Sequence, residues 1–228
     1  MARQIRCVAF DAVGTLIYPE PSVSHVYWTI GKQHGSGQTV EQVRSRFNIV
    51  FQELSPGIRG DYSTSEREET DRWRHIVERV LFDATDFDSC FDSLYRHFGE
   101  SRSWRAFPDV AETLECLARS HVAVLVASNF DARLNPVCDG LPELNGLQSR
   151  VISATIGWHK PSARFYDHVI ESAGIPANQI LMVGDDFDND VAAARACGLQ
   201  AVWLNRAGQA SADCITDLRH LEQWIDSQ

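Results

Sequence analysis

Two short, uninterrupted apolar runs, HVAVLVASN at 121–129 and QILMVGDD at 179–186, constrain the fold more than any other feature of the chain. Each is far too short to span a membrane, which takes about 20 apolar residues. Neither alternates apolar with polar side chains, as a strand with one wet face does. Runs of this kind are strands buried on both faces, and sheets of such strands are parallel, with helices packed on either side. The intervening sequence agrees. DVAETLECLARS (109–120) opens a helix with Asp109 and Glu112. VISA (151–154) is a short strand and PSARFYDHVIESAG (161–174) a helix. DVAAARACG (190–198) is a further helix, AVWL (201–204) a strand, and TDLRHLEQWI (216–225) a last helix. With IRCVAF (5–10) as its first strand, this alternation predicts an α/β fold, a doubly wound, Rossmann-like parallel sheet.

From about Pro19 to Trp104 the texture is different. PSVSHVYWTIGKQHG, TVEQVRSRFNIVFQEL, STSEREETDRWRHIVERVLF and FDSCFDSLYRHF each space their apolar residues as a helix does. Thr39 with Gln42, and Ser65 with Glu68, have capping-box spacing. The expected organisation is a core domain of residues 1–18 and 105–228, interrupted by a helical cap domain of residues 19–104.

In a doubly wound sheet the ligand crevice lies beyond the carboxyl ends of the strands. The polar residues there are Asp11 to Thr15 in FDAVGTL, Ser128 and Asn129, Lys160 in GWHKP, and Asp185 to Asp190 in GDDFDND. Each taken singly has a bland reading as a turn, a cap or a solvated loop. Four such groups from distant parts of the chain at one sheet edge make a site. The formal net charge of −10 and the lack of a basic stripe exclude a nucleic-acid footprint. No membrane span or signal-peptide pattern is visible, and the six cysteines are scattered without CxxC spacing, so a cytoplasmic protein with reduced thiols is expected. There are only two lysines, Lys32 and Lys160, so their positions carry unusual weight.

The order FDAVGTL, ASN, KPSARFY, VGDDFDNDVAAARACG resembles the haloacid dehalogenase superfamily, including the place of a helical cap after the first motif. SNFDARL and GDDFDND resemble one branch of it in particular. The resemblance implies a hydrolase in which Asp11 attacks the phosphorus of a small phosphorylated substrate to form an aspartyl phosphate. Thr15, Ser128 and the backbone N–H of Asn129 would hold the phosphoryl oxygens, and Lys160 would neutralise charge. Mg²⁺ would be bound by Asp11, the backbone carbonyl of Val13 and Asp185, supported by Asp186 or Asp190. A set of hard carboxylate oxygens suits Mg²⁺ and its pairing with phosphate.

Val13 departs from that pattern. Phosphatases of the family carry a second Asp there, which protonates the leaving oxygen and later activates water. Losing a general acid or base costs on the order of 10² to 10⁴ in rate, so a slow hydrolase or one restricted to activated leaving groups is expected. Two alternatives stand beside it. A 2-haloacid dehalogenase needs no acid and would use a cap arginine, with Arg44 or Arg46 in position, but Asp185 and its acidic neighbours would repel a carboxylate substrate. A non-catalytic protein could keep the fold to bind a phosphorylated ligand or a partner. Lys32 as a Schiff-base lysine and His159 as a substitute acid are weaker readings. Tyr27, Trp28, Arg59 and Trp73 are the cap residues from which substrate readers would come.

Overall fold

The computed structural model describes residues 5–55, 62–211 and 213–226. Strand β1 (Cys7–Phe10) lies at the centre of a six-stranded, all-parallel sheet. Its other strands are β4 (Ala123–Ser128), β5 (Ser149–Ile152), β6 (Ile180–Gly184), β7 (Gln200–Leu204) and β8 (Cys214–Ile215), in the order β5-β4-β1-β6-β7-β8. Phe10 pairs with Val126 on one side and Val183 on the other, so the end of β1 lies beside the last residues of β4 and β6. The central strands are buried on both faces, as their composition requires. One apolar layer includes Phe10, Val126, Val183 and Leu114, and the opposite layer Ala9, Leu125, Met182 and Phe165.

Helices α1 (Val23–Gln33), α2 (Val40–Glu53), α3 (Glu66–Val80) and α4 (Phe87–His97) enclose a third apolar cluster around Val43, Ile76, Val80 and Leu94. The capping box of Thr39 and Gln42 forms, and Ser65 accepts from the Glu68 N–H. Arg59 lies outside the described residues.

Three elements differ from the expectations. Strand β2 (Ile17–Pro19) pairs antiparallel with β3 (Trp104–Ala106), a ribbon joining the two ends of the helical block, where no strand was expected. Three residues are too few to show periodicity, and the pairing partner is remote in sequence. The strand expected at 151–154 is shifted to Ser149–Ile152, and Ser153–Ile156 form a helical turn, α7. Ser153 Oγ donates to the Phe130 carbonyl and accepts from the Phe130 N–H, which turns the chain out of the sheet. The expected helix at 190–198 begins earlier, as a π-turn over Phe187–Ala192 that runs into α9 (Ala193–Ala196). The remaining helices are α5 (Val110–Arg119), α6 (Leu134–Asp139), α8 (Ala163–Ala173) and α10 (Leu221–Asp226).

Candidate active site

Asp11 is the first residue past the central strand, and its N–H donates to the Val183 carbonyl. Its carboxylate therefore stands at the mouth of the sheet, buried. The Lys160 ammonium reaches it from the loop before α8, with Nζ 2.8 Å from Asp11 Oδ1, 2.6 Å from Asp190 Oδ1 and 2.9 Å from the Ala127 carbonyl oxygen. All three of its protons are thus directed at acceptors. Burial disfavours the charged amine, but Asp11 and Asp190 outweigh it and raise its pKa above the ordinary lysine value. Ser128 Oγ donates to the same Asp11 oxygen at 3.2 Å.

Asp11, Asp185 and Asp190 each offer a carboxylate oxygen within 4.8 Å of the others. The backbone makes room for them. A Cβ on Gly14, which has φ of +90°, would collide with the Asp185 carboxylate, and one on Gly184 would collide with that of Asp190. Although Asp185 is exposed along much of its surface, its carboxyl is packed over Gly14. Desolvation, then the charge on Asp11, push its pKa up to about 6. Burial drives Asp190 upward as well, opposed by the Lys160 ammonium. With all three ionised, these carboxylates leave two negative charges beyond the one that the Lys160 ammonium offsets, and hard oxygen donors with that charge fit a divalent cation such as Mg²⁺.

The other expected site residues fall into place around this cluster. Thr15 is buried, its Oγ1 3.5 Å from Asp185 Oδ1. Asn129 brackets the Lys160 backbone, its Oδ1 accepting from the Lys160 N–H at 2.7 Å and its Nδ2 donating to the Lys160 carbonyl at 3.1 Å. Asp186 stands apart from the carboxylate trio. Its side chain caps the π-turn, accepting from the Asp188 and Asn189 N–H groups and from Asn189 Nδ2. Val13 is half-buried and lines an apolar cavity. Lys32, Arg44 and Arg46 are exposed, with Lys32 over Trp28 and Arg46 over Phe82. Tyr27 is buried in the helical cluster, whereas Trp73 lines the cavity.

His159 is buried, and its Nε2 lies 2.9 Å from Glu69 Oε1 on α3. Glu69 is also buried and held by Arg72 and Thr64. His159 and Arg72 outweigh the desolvation that opposes them and lower the Glu69 pKa to about 2. The neighbouring backbone is tied to the same region, with the His159 N–H donating to the Tyr62 carbonyl and the Thr64 N–H to that of Gly157. The loop carrying Lys160 is thereby fixed to the helical block. Sequence reasoning also missed Arg206, which donates to Asp109 and to the Thr15 carbonyl. The only hint of that bond was an acid at the start of α5, and its ordinary meaning is a helix cap.

A central parallel strand ending in a buried acid, with a lysine and further acids converging from other strand ends, defines a hydrolase of the Rossmann-like α/β class. The chain belongs to the haloacid dehalogenase-like hydrolases, whose family profile matches residues 5–198. It is similar to haloacid dehalogenase-like hydrolase domain-containing protein 3, the branch that SNFDARL and GDDFDND resemble. The zebrafish (Danio rerio) protein of that name is 25% identical over 228 residues, covering 97% of this chain and 94% of its own length. The human (Homo sapiens) one is 25% identical over 205 residues, covering 87% and 81%. Among solved structures, YfnB from Bacillus subtilis, a putative HAD-hydrolase bound to magnesium, superposes with a TM-score of 0.77 at 14% identity, covering 97% of this chain and 99% of its own. The L-2-haloacid dehalogenase of Xanthobacter autotrophicus gives 0.76 at 16% identity, covering 98% and 99%. Both show the shared fold.

Proposed function

We propose that the protein is a Mg²⁺-dependent phosphohydrolase of small phosphorylated molecules, working through an aspartyl phosphate on Asp11. The observation that carries this reading is the uncompensated carboxylate trio of Asp11, Asp185 and Asp190 beside the Lys160 ammonium. Asp11, Asp185 and Asp190 would hold the cation, which when bound offsets the repulsion between the nucleophile and a phosphate dianion. Lys160 orients Asp11, since its ammonium is anchored on the Ala127 carbonyl as well as on both acids. Ser128, bonded to Asp11, and Thr15, bonded to Asp185, would supply hydroxyl donors toward phosphoryl oxygens. Asp11 then attacks phosphorus in line as the P–O bond to the leaving group breaks. Water returns the phosphoryl group to solution and regenerates the carboxylate.

Without an acid at position 13, the leaving oxygen departs unprotonated. His159 does not fill the gap, because its Nε2 faces Glu69. The dehalogenase reading is disfavoured by the same acidic trio, which would repel a carboxylate substrate, and by the exposure of Arg44 and Arg46.

The test is phosphate release from p-nitrophenyl phosphate with and without Mg²⁺, with Asp11→Asn as the blank, beside halide release from 2-chloropropionate. Mg²⁺-dependent phosphate release that the substitution abolishes supports the reading. Halide release would replace it with dehalogenation, and silence in both assays with ligand binding alone.

A further inference from the structure

Between the helical block and the strand ends lies a cavity of about 220 Å³. Val13 and Asn129 line it, so it adjoins the residues that follow Asp11 and Ser128. Six aromatic residues line most of the rest, Phe47, Phe51, Trp73, Phe98, Trp104 and Phe130, beside Pro19, Val23 and two arginines. An apolar cavity of about 150 Å³ takes a benzene, so this one has room for one or two fused rings.

Its two charged residues offer no net charge to a ligand. Arg133 donates from Nε and Nη2 to the buried Asp131 and from Nη1 to the Tyr95 carbonyl, with its guanidinium 3.6 Å from the Tyr95 ring centroid. Arg72 donates from Nε and Nη2 to the buried Glu69 and from Nη1 to the Leu54 carbonyl. A second phosphate or a carboxylate at this end of a substrate would meet guanidiniums that are already neutralised. Among the described residues lining the cavity there is also no carboxyl, imidazole, thiol or phenol. Among the described residues lining the cavity, a leaving oxygen beside Val13 therefore finds no acid but arginine, which does not give up its proton.

These two properties select the same molecules. A leaving group that departs without a proton must be a weak base, and a cavity walled by rings with its charges cancelled must hold an uncharged flat group. A phenol satisfies both, since it ionises near pH 10, roughly six units below water. We propose that the substrate is a monoaryl phosphate whose aromatic ring, free of further charge, occupies this cavity. The inference rests on the phosphoryl-transfer reading given above. In the step, the bond between Asp11 Oδ and phosphorus forms while the phosphorus–aryloxy bond breaks. The aryloxide leaves with that electron pair and takes its proton from solvent. Water then cleaves the aspartyl phosphate to inorganic phosphate and the free carboxylate.

The experiment measures kcat/KM for 1-naphthyl phosphate, acetyl phosphate and glycerol 3-phosphate, and binding of the first and third to Asp11→Asn by calorimetry. Acetyl phosphate has a good leaving group too small to use the cavity, so its turnover reports on the Asp11 chemistry alone. Burial of the ring should make 1-naphthyl phosphate bind about 10- to 100-fold more tightly than glycerol 3-phosphate. Phe51→Glu, at a partly exposed edge of the cavity, should remove about tenfold or more of that preference while leaving acetyl phosphate turnover unchanged. Phe47→Ala repeats the test from inside the cavity. Turnover of acetyl phosphate with no binding preference for the naphthyl ring, or a preference indifferent to both substitutions, overturns the aryl proposal and spares the phosphohydrolase. Tight, Phe51-dependent binding without turnover of any phosphate supports the pocket and overturns the catalytic reading.

Discussion

Glu69→Gln isolates the bond that fixes the Lys160 loop to the helical block. The substitution keeps the shape of a buried side chain and removes its charge, leaving His159 Nε2 and the Arg72 guanidinium facing a neutral amide. The Glu69 pKa falls from 4.5 in the unfolded chain to about 2 in the fold. At about 1.4 kcal/mol per unit, the ionised form contributes about 3 kcal/mol at pH 7. The sign follows from a depressed carboxylate pKa. The contribution is fully present above pH 4.5, shrinks to about 1.4 kcal/mol by pH 3, and is lost as pH falls through about 2. Urea unfolding of the native chain and of Glu69→Gln at a series of pH values checks this. The expected result is a stability gap of about 2–3 kcal/mol between pH 7 and 5 that narrows below pH 4.5. Because His159 directly precedes Lys160, the variant should also lose activity through kcat. A gap below about 0.5 kcal/mol at pH 7, or one that stays constant down to pH 3, would refute a charged, buried tie between α3 and this loop.

Lys160→Met leaves the buried Asp11 and Asp190 without their shared cation. It should destabilise the fold by about 3–5 kcal/mol in urea unfolding and abolish turnover, with added Mg²⁺ restoring part of the stability. Gly14→Ala places a methyl against the Asp185 carboxylate at a φ of +90°, and should weaken Mg²⁺ binding about 10- to 100-fold by calorimetric titration. Val13→Asp should raise kcat for an alkyl phosphate by about 10² or more. With p-nitrophenyl phosphate it should leave the first burst of nitrophenolate little changed and speed only the later release of phosphate from Asp11, because the good leaving group needs no proton but the water still needs a base.

Much of the site was legible because of where acids and small residues sit relative to strands. Asp11, Ser128, Lys160 and Asp185 stand just past apolar runs or in the loop before a helix, and parallel topology forces such positions to one edge. The choice between Asp186 and Asp190 was not legible. Four residues apart in one acidic run, they are chemically equal on paper. The π-turn gives Asp186 to the backbone as a cap, and turns Asp190 inward to Lys160.

What the chain determined by itself is local and periodic. Runs of β-branched and aliphatic residues long enough for a strand, and apolar spacing of 3.6 in the helices, dictate the layers, because each element must bury the face its own sequence makes apolar. Pairings between remote segments were decided only by the tertiary structure. The β2–β3 ribbon, the bonds of Arg206 to Asp109 and Thr15, the tie of His159 to Glu69, and the ring-lined cavity beside Val13 all join residues far apart in the chain. No local pattern announces such contacts, since a side chain's partner across the fold is set by how whole elements pack and not by its neighbours in sequence.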